Sequence, residues 1–337
     1  MPFDSPASLD ELDRALVLAL RADGRAHWSA LAAELGVSEQ TVARRYRRLR
    51  SAQLLRVVAV VNPYVVGWHP LQLRLRTERG AALRVGQAIA ARPDTVWAHQ
   101  LAGGHDLAVT VYTRTTADRD ALVLEHLPQA RDVLGVEQHL VLRMFATPDT
   151  WQTGRPRTRE ESPDRVRLDE LDERLLAALG RDGRTGLAAL AEQLRVTPTT
   201  VGRRIAALRA ARAVVFVTEV DPALLGYGTE ALLWLAVHPA HLEEVGARLA
   251  AEPAVRFAVA TSGPANLLVG LAVVDPPGLY DFLTAVVGRL PGVIRTELSP
   301  ILRTLKRAGL LRVGSRLVEP GLSGPARDEQ RRDGGRR

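Results

Sequence analysis

Residues 9–67 of this chain recur as residues 168–226, at a constant shift of 159 positions. Leu9-Asp10-Glu11-Leu12-Asp13 returns as Leu168-Asp169-Glu170-Leu171-Asp172, and Asp23-Gly24-Arg25 returns as Asp182-Gly183-Arg184. Thr41-Val42-Ala43-Arg44-Arg45 likewise matches Thr200-Val201-Gly202-Arg203-Arg204. A repeat this long copies whole domains rather than solenoid units. Any fold assigned to one half must therefore serve the other.

Hydrophobic periodicity supplies that fold. Residues 9–21 carry Leu12, Leu16, Ala19 and Leu20 at helical spacing, with Asp10, Glu11 and Asp13 at the positive end of the helix dipole. A second helix covers 29–35 and stops at Gly36, a residue free to adopt positive φ. Ser38 then caps a third helix over 39–50. The second copy repeats the pattern over 169–180 and 187–194, followed by a helix capped by Thr197 with Pro198 at its first position. Three short helices with a tight turn before the third predict a helix-turn-helix.

After each trihelical unit the period changes to 2. The first copy reads as strands over 56–61, 71–76, 96–102, 107–112 and 136–144, with helices near 81–91 and 118–127. The second reads as strands over 214–220, 231–237, 255–260, 267–273 and 293–302, with helices over 241–251 and 278–290. The expected class is α+β: two copies of a helix-turn-helix followed by a ferredoxin-like βαββαβ domain. The boundaries are 1–55 and 56–147, a polar linker at 148–167, then 168–213 and 214–310, and a basic, disordered tail at 311–337.

Composition narrows the chemistry. Hydrophobic residues make up 46% and aromatics 4%, so the core is aliphatic, and no run approaches the ~20 apolar residues that span a bilayer. Without cysteine there are no disulfides or thiolate metal sites. The eight histidines show no metal-ligand spacing, and no nucleotide or hydrolase motif occurs. The expectation is a cytoplasmic protein with no secretory leader, no membrane partner and no cofactor. Net charge is +7 and Lys306 is the only lysine, so the positive charge is nearly all arginine, whose planar fork suits phosphates and guanine edges.

The arginines concentrate on the third helix of the first copy. Val42, Tyr46 and Leu49 claim its core face, leaving Gln40, Thr41, Arg44, Arg47 and Arg48 outward, with Arg45 and the capping Ser38 beside them. Thr197, Thr199, Thr200, Arg203 and Arg204 occupy the equivalent places in the second copy. Polar residues at the start of a recognition helix meet base edges, and arginines further along meet phosphates. These twelve residues are the candidate contacts to double-stranded DNA.

Asp-Gly-Arg, Leu-Ala-x-x-Leu-x-Val-Ser/Thr, Thr-Val-x-x-Arg, x-Pro-x-x-x-Gly and a later Gly-x-Asp-Leu loop resemble the Lrp/AsnC family of transcriptional regulators over nearly the whole chain, twice. The resemblance implies a helix-turn-helix joined to a ferredoxin-like ligand domain, homo-oligomeric assembly through that domain, and control by an amino acid or similar metabolite. It implies an effector loop at Gly103, Gly104, His105 and Asp106, with Asp106 accepting from an α-amino group, and a counterpart at Gly263 and Asn266. It further suggests that the fused chain acts as a pseudo-dimer. The family's glycines are replaced by Gln53 and Arg212 after the third helices and by Arg195 in the second turn, which predicts strained or remodelled backbone there. Trp28 and Trp68 read as core variation. The sirohaem decarboxylases resemble the same two-domain layout and supply the alternative, an enzyme using His99 and His105.

Overall fold

The computed structural model describes residues 9–148, 151 and 165–318. The first copy forms α1 (Glu11–Ala22), α2 (Trp28–Leu35), α3 (Glu39–Ser51), β1 (Leu55–Val61) and β2 (His69–Thr77). It continues with α4 (Ala82–Ala91), β3 (Thr95–Leu101), β4 (Leu107–Thr113), α5 (Thr116–Asp120), prolonged by a π-helical turn, and β5 (Val133–Ala146). The second copy repeats these as α6 (Glu170–Arg181), α7 (Leu187–Leu194), α8 (Pro198–Ala210), β6 (Val214–Val220) and β7 (Thr229–Val237). Then follow α9 (Leu242–Ala251), β8 (Val255–Thr261), β9 (Leu267–Val273), α10 (Pro276–Asp281) and β10 (Val293–Arg307).

Each unit starts on a capping box: the Asp10 carboxylate accepts from Asp13 N and the Asp13 side chain reaches back, and Asp169 and Asp172 do the same. The two units are not separate beads. β1 pairs antiparallel with β6, and Val58 lies opposite Val217, its own counterpart 159 residues on. The two copies are thus related by a pseudo-two-fold axis through that pair. Across this ribbon α6 packs on β1 and α1 on β6, so each copy's first helix lies on the other copy's strand. Leu16, Leu20, Leu31 and Val42 consequently share one core with Leu175, Leu179, Leu190 and Val201, floored by Leu55, Val57, Val214 and Phe216.

β1 and β6 therefore stand outside the ferredoxin-like sheets, contrary to the expected boundary at residue 56. The long β5 and β10 account for the rest. The first half of β5 pairs with β2 and its second half with β8; β10 pairs first with β7 and then with β3. Eight strands close into a ring in the order β3-β4-β2-β5-β8-β9-β7-β10. Leu71, Leu73 and Leu75 point to the helical layer, with Val85 and Ile89 of α4. The alternate positions, with Leu232, Trp234, Val141 and Leu268, fill the ring.

Two further expectations change. The tail assigned to 311–337 begins with a hairpin, β11 (Leu310–Val313) and β12 (Arg316–Val318), because Leu310 and Leu317 are buried against Val58, Val60 and Val217 of the ribbon. Residues 319–337 lie outside the described residues. So does most of the linker at 148–167, although Trp151 is buried, donates from Nε1 to Pro253 O at 2.9 Å, and meets the Tyr227 ring at a tilt, 5.1 Å between centroids.

The glycine replacements keep the left-handed backbone rather than remodelling it. Gly36 ends α2 at φ 66° and Arg195 ends α7 at φ 59°, with Gln53 and Arg212 at 60° and 55°. An L-residue in that region costs about 1–2 kcal/mol, part of which glycine's looser unfolded chain returns. Arg195→Gly is therefore expected to stabilise the protein by about 0.5–1 kcal/mol, read as a higher urea midpoint. An unchanged or lower midpoint would contradict the strain.

Candidate nucleic-acid interface and effector loops

α3 starts at Ser38, whose Oγ accepts from Thr41 N at 3.2 Å, and α8 starts at Thr197, whose Oγ1 accepts from Thr200 N at 3.2 Å. Val42, Tyr46 and Leu49, and Val201, Ile205 and Leu208, turn into the shared core. That fixes the outward face. Gln40, Arg44, Arg47 and Arg48 are exposed on α3, with Thr41 half-buried at its start; Thr199 and Arg203 are exposed on α8, with Thr200 half-buried. The face is unequal between copies, because Ala206 and Ala207 stand where Arg47 and Arg48 do.

Arg45 and Arg204 are held by carboxylates of their own copy. Arg45 Nη1 reaches Asp10 at 2.5 Å and Asp13 at 3.0 Å, and Arg204 Nη1 reaches Asp169 at 2.7 Å and Asp172 at 3.2 Å. Each fastens the recognition helix to the capping box of the first helix. The Arg45 hydrogen bond is the leading cause that holds the Asp10 carboxyl below its ordinary pKa. Arg48 also meets Asp13 but remains 58% exposed, so it keeps a free face. The same acid–arginine pair recurs in both copies at the same spacing, which is the sequence signal for this clamp.

The loop residues divide similarly. Gly103 and Gly104 are exposed, Gly103 at φ 118°, with open space around both α-carbons. Asp106 meets the end of β2: its Oδ2 accepts from Thr77 N at 2.7 Å and from Thr77 Oγ1 at 3.1 Å. Asn266 does the same work in the second copy, accepting from Val237 N at 2.9 Å and donating to Val237 O at 2.8 Å. Both side chains latch their loop to the end of the neighbouring strand, and the second carboxylate oxygen of the half-buried Asp106 stays outside that latch. His105 is half-buried with Nε2 3.1 Å from Glu137, and burial is the main cause lowering its pKa. Gly263 leaves room for His139, which a Cβ would approach to 2.7 Å. A cleft of about 290 Å³ opens beside this second loop, lined by Arg119, Asp120, Val123, Leu124, Gln138, Leu140 and Ser262.

His99 is walled in, its Nδ1 3.1 Å from Thr304 Oγ1. Burial first, and Arg307 second, push its pKa down to about 3. Trp28 is a stacking platform after all, but for protein: the Arg184 guanidinium lies 3.8 Å from its ring centre. Arg114 lies over Trp68 at 5.2 Å. Among the described residues no acid–histidine cluster could hold a metal ion and no helix is long and apolar enough to cross a membrane.

Two stability outcomes follow from these contacts. Asp106→Ala is expected to cost about 1–3 kcal/mol by orphaning Thr77 N, whereas Asp106→Asn, the residue the second copy uses, should cost under about 1 kcal/mol in urea unfolding. Equal losses would remove the latch. For His99, the folded pKa lies below the unfolded value of about 6.5, so the unfolded chain takes up the extra proton and stability falls as pH drops from about 6.5 towards 3. Between pH 7 and 5 this loss is about 2 kcal/mol, and His99→Val should abolish that share; Thr304 keeps Arg307 as partner.

The AsnC-type helix-turn-helix domain model matches residues 9–50 and 168–209, and the Lrp/AsnC ligand binding domain model matches 72–149 and 230–311. The HTH-type transcriptional regulator FL11 of Pyrococcus horikoshii is 29% identical over 143 residues, spanning 42% of this chain and 94% of that protein. The HTH-type transcriptional regulator AldR of Mycolicibacterium smegmatis is 33% identical over 138 residues, 40% of this chain and 81% of its own. Each relative thus corresponds to one half. Among solved structures the siroheme decarboxylase NirDL superposes with a TM-score of 0.61 over 90% of this chain and 94% of its own, at 14% identity, a likeness of fold alone. With both of its domain models matched twice and in order, the chain belongs to the Lrp/AsnC family of DNA-binding transcriptional regulators.

Proposed function

We propose that this chain binds a pseudo-palindromic DNA site as a pseudo-dimer, with α3 and α8 each addressing one half-site. The observation that carries the reading is the outward face of the third helices, presented twice about one two-fold axis through Val58 and Val217. Duplex DNA has matching two-fold symmetry, and two equivalent helices read half-sites about one helical turn apart. Since α3 offers Gln40, Arg44, Arg47 and Arg48 against Thr199 and Arg203 on α8, the half-sites differ and the first binds with more phosphate contacts.

The ligand domains carry a regulatory site for a small metabolite. The cleft beside Ser262 sets Arg119 and Asp120, paired with each other at 2.7 Å, against the apolar Val123 and Leu124; an amino acid would exchange that pair for its own two charges and lay its side chain on the apolar wall. The loop at Gly103 and Gly104 offers backbone N–H groups at the equivalent place. Tetrapyrrole chemistry would draw on His99 and His105, and the burial of the first against Thr304 does not support it.

The test is a mobility shift on DNA selected by the protein from a random library, across a salt series. Arg44→Ala with Arg47→Ala should weaken binding and lower the slope of log K against log salt by about 2, at close to 0.9 per lost phosphate contact, with the unfolding midpoint unchanged. Arg45→Ala should instead lower the midpoint, since it uncouples α3 from Asp10 and Asp13. Wild-type affinity and slope in the first variant would refute the interface.

A further inference from the structure

The two Asp-Gly-Arg turns hold each other. Arg25 in the first turn donates from Nη1 to Gly183 O and from Nη2 to Thr185 O at 3.4 Å. Arg184 in the second donates to Gly24 O at 2.7 Å and Ala26 O at 2.9 Å. The four acceptors are themselves a symmetric set, because Gly24 and Ala26 correspond to Gly183 and Thr185. One guanidinium thus grips two carbonyls of the opposite turn, reciprocally, with the bidentate geometry that arginine provides and lysine lacks.

The same turns anchor the recognition helices. Arg50, in the last turn of α3, pairs with Asp182 of the second turn at 2.5 Å, and Arg209 of α8 pairs with Asp23 of the first at 3.5 Å. The close approach needs glycine. A Cβ on Gly183 would stand 3.0 Å from Val57 O, and one on Gly24 would stand 2.8 Å from a Val57 methyl. Each recognition helix is therefore referenced to the other unit's turn as well as to its own frame.

On the reading that α3 and α8 address two half-sites, we propose that Arg25 and Arg184 are spacing-determining residues: their reciprocal clasp fixes the separation and rotation of the two recognition helices and so selects one half-site spacing. The pair touches no DNA and acts by positioning. A hinge left loose between the units would accept half-sites at several separations, whereas duplex DNA turns about 34° per base pair, so one base pair of slack misorients a helix.

The absence of cysteine makes the full-length chain simple to label. Spin labels at Gln40→Cys and Thr199→Cys, without DNA, should give a single narrow distance distribution, broadened at least twofold when Arg25→Ala and Arg184→Ala are added. In parallel, unlabelled protein is presented with operators whose half-sites are separated by variable spacers. Wild type should favour one spacing at least tenfold over its neighbours by one base pair, and the double Ala variant should flatten that preference while keeping its affinity for an isolated half-site within about twofold. A merely stabilising contact would lower the unfolding midpoint and leave both profiles sharp, and that result overturns the proposal. Should the Ala pair unfold, the Arg25→Lys, Arg184→Lys pair decides by the same two profiles, since lysine keeps the charge and loses the fork. Absence of any DNA binding by wild type would fail the half-site reading alone; the label distances would still judge the clasp.

Discussion

Everything in this molecule depends on the antiparallel pairing of β1 with β6. Seven residues of each copy pair in antiparallel register about Val58 and Val217, and that single ribbon places each first helix on the other copy's strand. The helical units then have no separate interiors, because the apolar faces of α1 and α6 are completed only by the opposite strand. A helix of twelve residues is marginal alone, so packing across the copies is what makes these helices stable. The second closure, of β5 on β8 and β10 on β3, removes the open edges that two four-stranded sheets would otherwise expose.

Joining the copies in one chain also releases positions near the axis from symmetry. In a pair of identical subunits a residue beside the dyad faces its own kind. Arg74 and Trp234 occupy equivalent places on β2 and β7, and the guanidinium lies 4.6 Å from the indole ring centre while pairing with Glu297. Two arginines there would repel and two indoles would lack the cation. The buried network of Glu230 with Arg256 and Arg307 is likewise one-sided, since Pro70, Val96 and Thr147 hold the matching positions. Those two arginines keep the Glu230 carboxyl near pKa 2 against the opposing effect of burial. The hairpin of β11 and β12 packs on the ribbon, and Leu317 N donates to Gln53 O at 2.7 Å, directly beyond α3.

What the sequence disclosed was local. Helix spans, the caps at Ser38 and Thr197 and the positive φ at Gly36, Arg195, Gln53 and Arg212 each follow from residues within a few positions of one another. Strand partners do not. The alternation in residues 56–61 reveals a strand but not that its neighbour belongs to the other copy, so a boundary at residue 56 assigns β1 to the wrong sheet. Arg45 sits on the border between the core and solvent faces of its helix, and helical phase alone cannot tell a DNA contact from a clamp on Asp10 and Asp13. Asp106 matches the family's loop by type and position, yet one of its carboxylate oxygens serves Thr77, a contact that sequence spacing does not reveal. The hairpin at 310–318 leaves no period in the sequence because Leu310 and Leu317 are too few to show one; only the ribbon beneath them gives them a place.

Arginine, which supplies almost all the positive charge, is sorted by the acceptors each side chain can reach. Arg44 and Arg47 project from the exposed face and stay available to an external anion. Arg45 and Arg204 meet carboxylates of the capping boxes and become part of the frame. Arg25 and Arg184 find the carbonyls of the opposite turn. These three uses are ordered physically, since exposed arginines can engage phosphates in register only if the frame beneath them holds still. A long, flexible side chain is a poor ruler, and the ruler here is the ribbon with its interlocked turns. The distribution of one residue type between frame and face is therefore the means by which a duplicated chain converts a large positive charge into a defined pair of exposed, arginine-bearing helix faces.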